Sequence, residues 1–149
     1  MAAFTPTVTV DEVKAIKHEV LGDMMIIVKI ACTDTDGDTG ASLTMKSTRN
    51  SRTDTYRAIM DQVEGSWLYM MEVVPGAGGD APTAAFDIDI ENKRNSHILD
   101  TDSNSHTATT FVLGSNTLGG FPPIMDQITV EIGALGAANK CDIYLYFSK

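Results

Sequence analysis

Apolar and polar residues alternate with a period of two in segment after segment of this chain, the spacing of a strand with one face in a core. In the stretch 141–147, Cys141, Ile143, Leu145 and Phe147 share one face, while Asp142, Tyr144 and Tyr146 share the other. Ile128, Val130 and Ile132 repeat the pattern, as do Phe86, Ile88 and Ile90 around outward Asp87 and Asp89. The first set of each strand is predicted core. The glycine-rich stretch 133–140 predicts a hairpin that pairs 128–132 with 141–147 antiparallel.

Two segments are apolar on both faces. Met24 to Cys32 is interrupted only by Lys29, and Trp67 to Val74 only by Glu72, so both read as central strands, with Trp67 in the core. Each ends at residues that cannot continue a ladder: the Asp36-Gly37 turn within 33–40, and the Pro75 to Pro82 stretch with Gly76, Gly78 and Gly79. Ala41 to Lys46 then reads as the hairpin partner of Met24 to Cys32. Weaker strands are read at Thr7 to Val10, Val13 to Val20, Tyr56 to Met60 and Thr107 to Leu113. Helical spacing competes in two places, at Val13, Ile16 and Val20 and again over 55–63; the regular spacing of neighbouring strands favours strand in both.

Eight or more short strands separated by Gly, Pro, Asn and Asp clusters predict an all-β fold, an antiparallel, jelly-roll-like β-sandwich in a single domain spanning 1–149. Met1 to Pro6 lacks the pattern and reads as an extended N-terminal arm. Thr101 to His106 and Gly114 to Pro123 are the longest irregular stretches, and the first is polar enough to read as a surface loop. A chain of 149 residues buries roughly 68–70% of its unfolded surface, enough for one core without staples.

Composition narrows the possible partners. The formal net charge of −9 repels phosphate backbones, so direct nucleic-acid binding is not expected. The basic residues Lys46, Arg49, Arg52 and Arg57 lack an aromatic platform and read as a solvated loop and strand edge. The longest apolar run is far shorter than the ~18 residues of a membrane helix, and the first residues show no basic region before an apolar stretch. A cytoplasmically made protein off the membrane is therefore expected. Cys32 and Cys141 could pair, but their apolar, alternating surroundings favour buried free thiols of a reducing compartment.

Candidate chemistry is sparse. Asp34, Asp36 and Asp38 suggest calcium, but an EF-hand counted from Asp34 would need glycine where Thr39 stands and glutamate where Met45 stands, so a turn is favoured over a weak cation site. Gly76 to Gly79 lacks the Lys-Ser/Thr of a phosphate loop. His18, His97 and His106 lack zinc-ligand spacing. Neighbours in Ser96-His97 and Ser105-His106 point apart on a strand. No catalytic residue, metal or cofactor is assigned. Eight methionines exceed what a small core needs. In the adjacent pairs Met24-Met25 and Met70-Met71, one member must face away from the core. Met25 and Met70, with outward Tyr144 and Tyr146, are the predicted interface residues of a homo-oligomer, a dimer or trimer.

Three stretches carry a resemblance: Gly65 to Pro75 (Gly-Ser-Trp-Leu-Tyr-Met-Met-Glu-Val-Val-Pro), Ala81 to Ile90 (Ala-Pro-Thr-Ala-Ala-Phe-Asp-Ile-Asp-Ile) and the closing Cys141 to Phe147. Together they resemble small structural proteins of tailed double-stranded DNA bacteriophages. Where such proteins continue with an Asp-Gly turn, this chain has Glu91 to Leu99. The resemblance implies a non-enzymatic virion component. It would be a head decoration or cement protein on the capsid surface, assembled in the host cytoplasm, that bridges major capsid protein subunits. A tail or head-to-tail connector component is the next implication. The residues alone leave one other class, a carbohydrate- or surface-binding module using Trp67 and the tyrosines.

Overall fold

The computed structural model describes residues 8–20, 23–34, 41–81, 86, 88–94, 97–99, 111–114, 123–133, 135–136 and 138–148. The arm at 1–6, the Asp36-Gly37 turn, Asp87, Ser96, the loop at 101–106 and most of the loop at 114–123 lie outside the described residues, as do the side chains of 8–24.

The described chain is mostly β, with one short helix. Its strands are β1 (Val8–Val20), β2 (Asp23–Asp34), β3 (Ala41–Lys46), β4 (Trp67–Pro75), β5 (Ile88–Asn92), β6 (His97–Leu99), β7 (Phe111–Gly114), β8 (Gln127–Ile132) and β9 (Lys140–Ser148). They form two antiparallel sheets, one of five strands in the order β1-β2-β9-β4-β7 and one of four in the order β3-β8-β5-β6. Apart from the β1–β2 hairpin, pairing runs from the ends inward: β2 with β9, β3 with β8, β4 with β7 and β5 with β6.

The predicted inward sets are buried and form one core cluster drawn from both sheets. Ile26, Val28, Ile30, Leu68, Met71, Val73, Ile143, Leu145 and Phe147 come from the five-stranded sheet. Leu43, Met45, Ile88, Ile90, Ile128, Val130 and Ile132 come from the other. Met24 to Cys32 and Trp67 to Val74 are interior strands, as their two-sided apolarity predicts.

Five expectations are corrected. Segment 41–46 is no hairpin partner of β2, whose two edges are taken by β1 and β9; it crosses to the second sheet and pairs with β8. Likewise β8 and β9 are not a hairpin, since each belongs to a different sheet. Segments 7–10 and 13–20 are one strand, β1, whose register shifts between Val10 and Glu12. Residues 56–60 are not a strand: α1 (Arg57–Val63) buries Met60 and Val63, a helical i, i+3 pair, against the core. Trp67 is not in the core but 52% exposed.

The crossover from β8 to β9 is held by a buried carboxylate. Asp34, at the end of β2, accepts the N–H groups of Leu135 at 2.8 Å and Gly136 at 3.0 Å. Its own N–H donates to the Asn139 carbonyl at 2.9 Å, and its carbonyl accepts from Ala138 at 2.8 Å. Gly136 at φ 98° and Ala138 at φ 64° make the tight turn that brings these donors together. Asp34 thus serves as a clamp on the loop. Ahead of α1, the Thr48 N–H (2.6 Å) and hydroxyl both donate to Asp61, and the hydroxyl bond is the main cause of an Asp61 carboxyl held below its usual range.

Candidate functional site

The register of β2, β9 and β4 determines which side chains stand together on the outer face of the five-stranded sheet. Met25 lies opposite Ser148, and Ser148 opposite Trp67. Ile27 is opposite Tyr146, and Tyr146 opposite Met70. In the next row Lys29, Tyr144 and Glu72 align, followed by Ala31, Asp142 and Val74. All four predicted interface residues therefore share one face, and Met70 and Tyr146 are direct cross-strand neighbours.

Exposure rises toward one end of this face. Trp67 is 52% exposed and Tyr69 50%, while Met125, in the segment that leads into β8, is 58% exposed. Trp67 bridges to Pro123, and Pro123 and Met125, two residues apart, flank buried Ile124. The Gly65 N–H donates to the Ile124 carbonyl and the Ile124 N–H to the Ser66 carbonyl, which fixes this corner. Rigid aromatic side chains and adaptable thioethers are what desolvated protein contacts favour.

The polar groups of the same face are matched to one another. Lys29 pairs with Asp142 at 3.0 Å, and its ammonium sits 5.8 Å from the centre of the Tyr144 ring. The Tyr146 hydroxyl donates to Glu72 at 2.8 Å. Burial, then that bond, pushes the Tyr146 hydroxyl up to about 12. Lys29 and Glu72, the two residues that interrupt otherwise apolar strands, thus each have a partner on this face.

Sequence reasoning missed Trp67, Tyr69 and Met125 as surface residues, and the cause for the first two is a bulge. The β4–β9 register shifts between Leu68 and Met70, so the inward set is Val73, Met71 and Leu68. Alternation counted back from Val73 without the shift puts Tyr69 and Trp67 inside. The run of three large residues Trp67-Leu68-Tyr69 is the one local hint.

A cleft of about 620 Å³ opens beside the turn after β5. Ile98, Pro123, Ile124 and Met125 give it an apolar lining, and Lys93 is paired with Asp126 at 3.4 Å. Among the described residues, its lining contains no serine, cysteine or histidine. Among the described residues, no group of three or more His, Cys, Asp or Glu side chains is placed to hold a metal ion, and no helix is long and apolar enough to cross a membrane. The basic residues Arg49, Arg52 and Arg57 are exposed, and Arg49 pairs with Glu64 at 3.5 Å. Neither the models of known protein families nor the curated proteins provide a match to this chain.

Proposed function

We propose that the protein is a non-enzymatic structural component of a virion, a jelly-roll domain that decorates the capsid surface and self-associates. In this reading it is assembled in the host cytoplasm and bridges major capsid protein subunits through the outer face of its five-stranded sheet. The observation that carries the reading is that face, where Met25, Ile27, Met70, Tyr146 and Trp67 form a continuous apolar and aromatic surface on an interior set of strands. Contiguous apolar surface of this kind marks an association site.

The strand order supports the jelly-roll part. Counting eight strands from β2, the first pairs with the last, the second with the seventh, and so inward, which divides them between sheets β2-β9-β4-β7 and β3-β8-β5-β6. Viral capsid and lectin domains both use that architecture, so the fold narrows the classes without choosing between them. The resemblance of 65–75, 81–90 and 141–147 to phage structural proteins favours the virion, with a tail or connector position as the variant of the same reading.

The test is addition of purified protein to particles that lack it. Binding at defined stoichiometry, with a rise in the temperature at which particles rupture, is expected. No binding and no gain in particle stability defeats the cement role, and a monomer by light scattering at micromolar concentration defeats self-association.

A glycan-binding module is the second reading, and the exposure of Trp67 and Tyr69 favours it, since two aromatic planes at one sheet corner suit stacking on sugar rings. Binding on a glycan array that Trp67→Ala abolishes in a folded protein would put this reading first.

A further inference from the structure

We infer that Cys32 and Cys141 form a latent clasp, a cross-strand disulfide that closes when the protein meets an oxidant of the small-molecule disulfide class, such as oxidised glutathione. The two residues are direct partners in the β2–β9 register. Both are 2% exposed members of the same core cluster, so their side chains leave the sheet on the same face. Opposed residues on antiparallel strands have Cα atoms ~4.5–5.5 Å apart, inside the ~4.4–6.8 Å that a disulfide spans. No disulfide joins them in the structure; both are thiols.

Their position supplies an access route. Cys141 is the second residue of β9, next to exposed Lys140, and access comes by local opening of this strand end, which the Asp34 clamp slows. On opening, one cysteine thiolate attacks the small disulfide and releases one small thiolate. The second cysteine thiolate then attacks the mixed disulfide and releases the other. The two cysteines lose two protons and two electrons, and the small disulfide is reduced to two thiols. The bond would close a loop of roughly 110 residues and tie together two strands far apart in the chain, the case in which a cross-link most restricts the unfolded state. This inference stands apart from the virion reading.

The experiment uses the full chain in two arms, one kept native and one refolded from guanidinium, each in a mixture of reduced and oxidised glutathione. Intact mass after acid quench is expected to fall by about 2 Da without dimer formation. Digestion should give one peptide pair joined through Cys32 and Cys141. The melting temperature should rise by about 5 °C or more over protein held in dithiothreitol, and Cys141→Ala should melt at the same temperature in either buffer. Closure in the refolded arm alone also supports the clasp, with burial setting the rate. Two alkylatable thiols or persistent glutathione adducts in both arms overturn it, as does a closed form that melts no higher than the reduced one.

Discussion

The outer faces of the two sheets cover the same core and are unlike in chemistry. On the four-stranded sheet, Ser42, Glu131 and Asp89 align in one row and Thr44, Thr129 and Glu91 in the next. The Thr44 and Thr129 hydroxyls bond each other at 3.1 Å, and every other side chain in those rows is polar or acidic. The five-stranded sheet instead presents Met25, Ile27, Met70, Val74 and two tyrosines, with Lys29 satisfied by Asp142. Acidic surface keeps a face hydrated and separate, whereas apolar surface with its charges already matched loses little when water leaves. The first face has the chemistry of a hydrated surface, and the second is the one that the proposed association would use.

Breaking the shared interior has the largest expected effect. Ile143→Ala in the five-stranded sheet and Ile132→Ala in the four-stranded sheet should each cost about 2–5 kcal/mol in urea unfolding, within a single transition. Two separated transitions would show that the sheets stand independently, and the contrast between their faces would lose its common frame.

Next is the clamp at the crossover between the sheets. Asp34→Ala strands the buried Leu135 N–H and the half-buried Gly136 N–H and should cost about 3 kcal/mol, and Asp34→Asn, whose amide oxygen can stand where one carboxylate oxygen accepts both, at most roughly half of that. Differential scanning calorimetry on the two variants measures both values; equal losses would mean that the carboxylate charge, and not its acceptor geometry, holds the loop.

A matched pair of lysines sharpens the comparison directly. Met70→Lys on the apolar face should weaken self-association at least about tenfold, while Thr129→Lys on the acidic face should leave it unchanged. Each should alter monomer stability by less than about 1 kcal/mol. Sedimentation across a dilution series reads the difference, and equal responses would erase the distinction between the faces.

The smallest effect is alkaline. Because folding raises the Tyr146 hydroxyl from 10.0 to about 12, the folded protein holds that proton more tightly than the unfolded chain. Its contribution is complete below pH ~10 and is lost as the pH rises through about 12. Ultraviolet titration should show one of the four tyrosines ionising last, and Tyr146→Phe should remove that late step.

Alternation made the inward residues legible: Cys141, Ile143, Leu145 and Phe147 are all buried, as are Phe86, Ile88 and Ile90. It also placed Tyr144 and Tyr146 outward together. Period two states which way a side chain points and is silent on which strand lies beside it. The partners of β3 and β8 were therefore misread, and the meeting of Met70 with Tyr146 was invisible before the β2-β9-β4 order was known. At Trp67 the parity itself failed, because one bulged residue reverses every assignment beyond it. In α1, seven residues are too few for a period of 3.6 to outweigh a period of two.

Inward-running pairing also sets a timetable for biosynthesis. β9 leaves the ribosome after β1 to β8, yet it occupies the middle of the five-stranded sheet, with Ile26 meeting Phe147 on one side and Leu68 on the other. Until it emerges, β2 and β4 each wait with an open edge, so chaperone demand should peak late in translation and nascent chains stalled before residue 140 should stay protease-sensitive throughout.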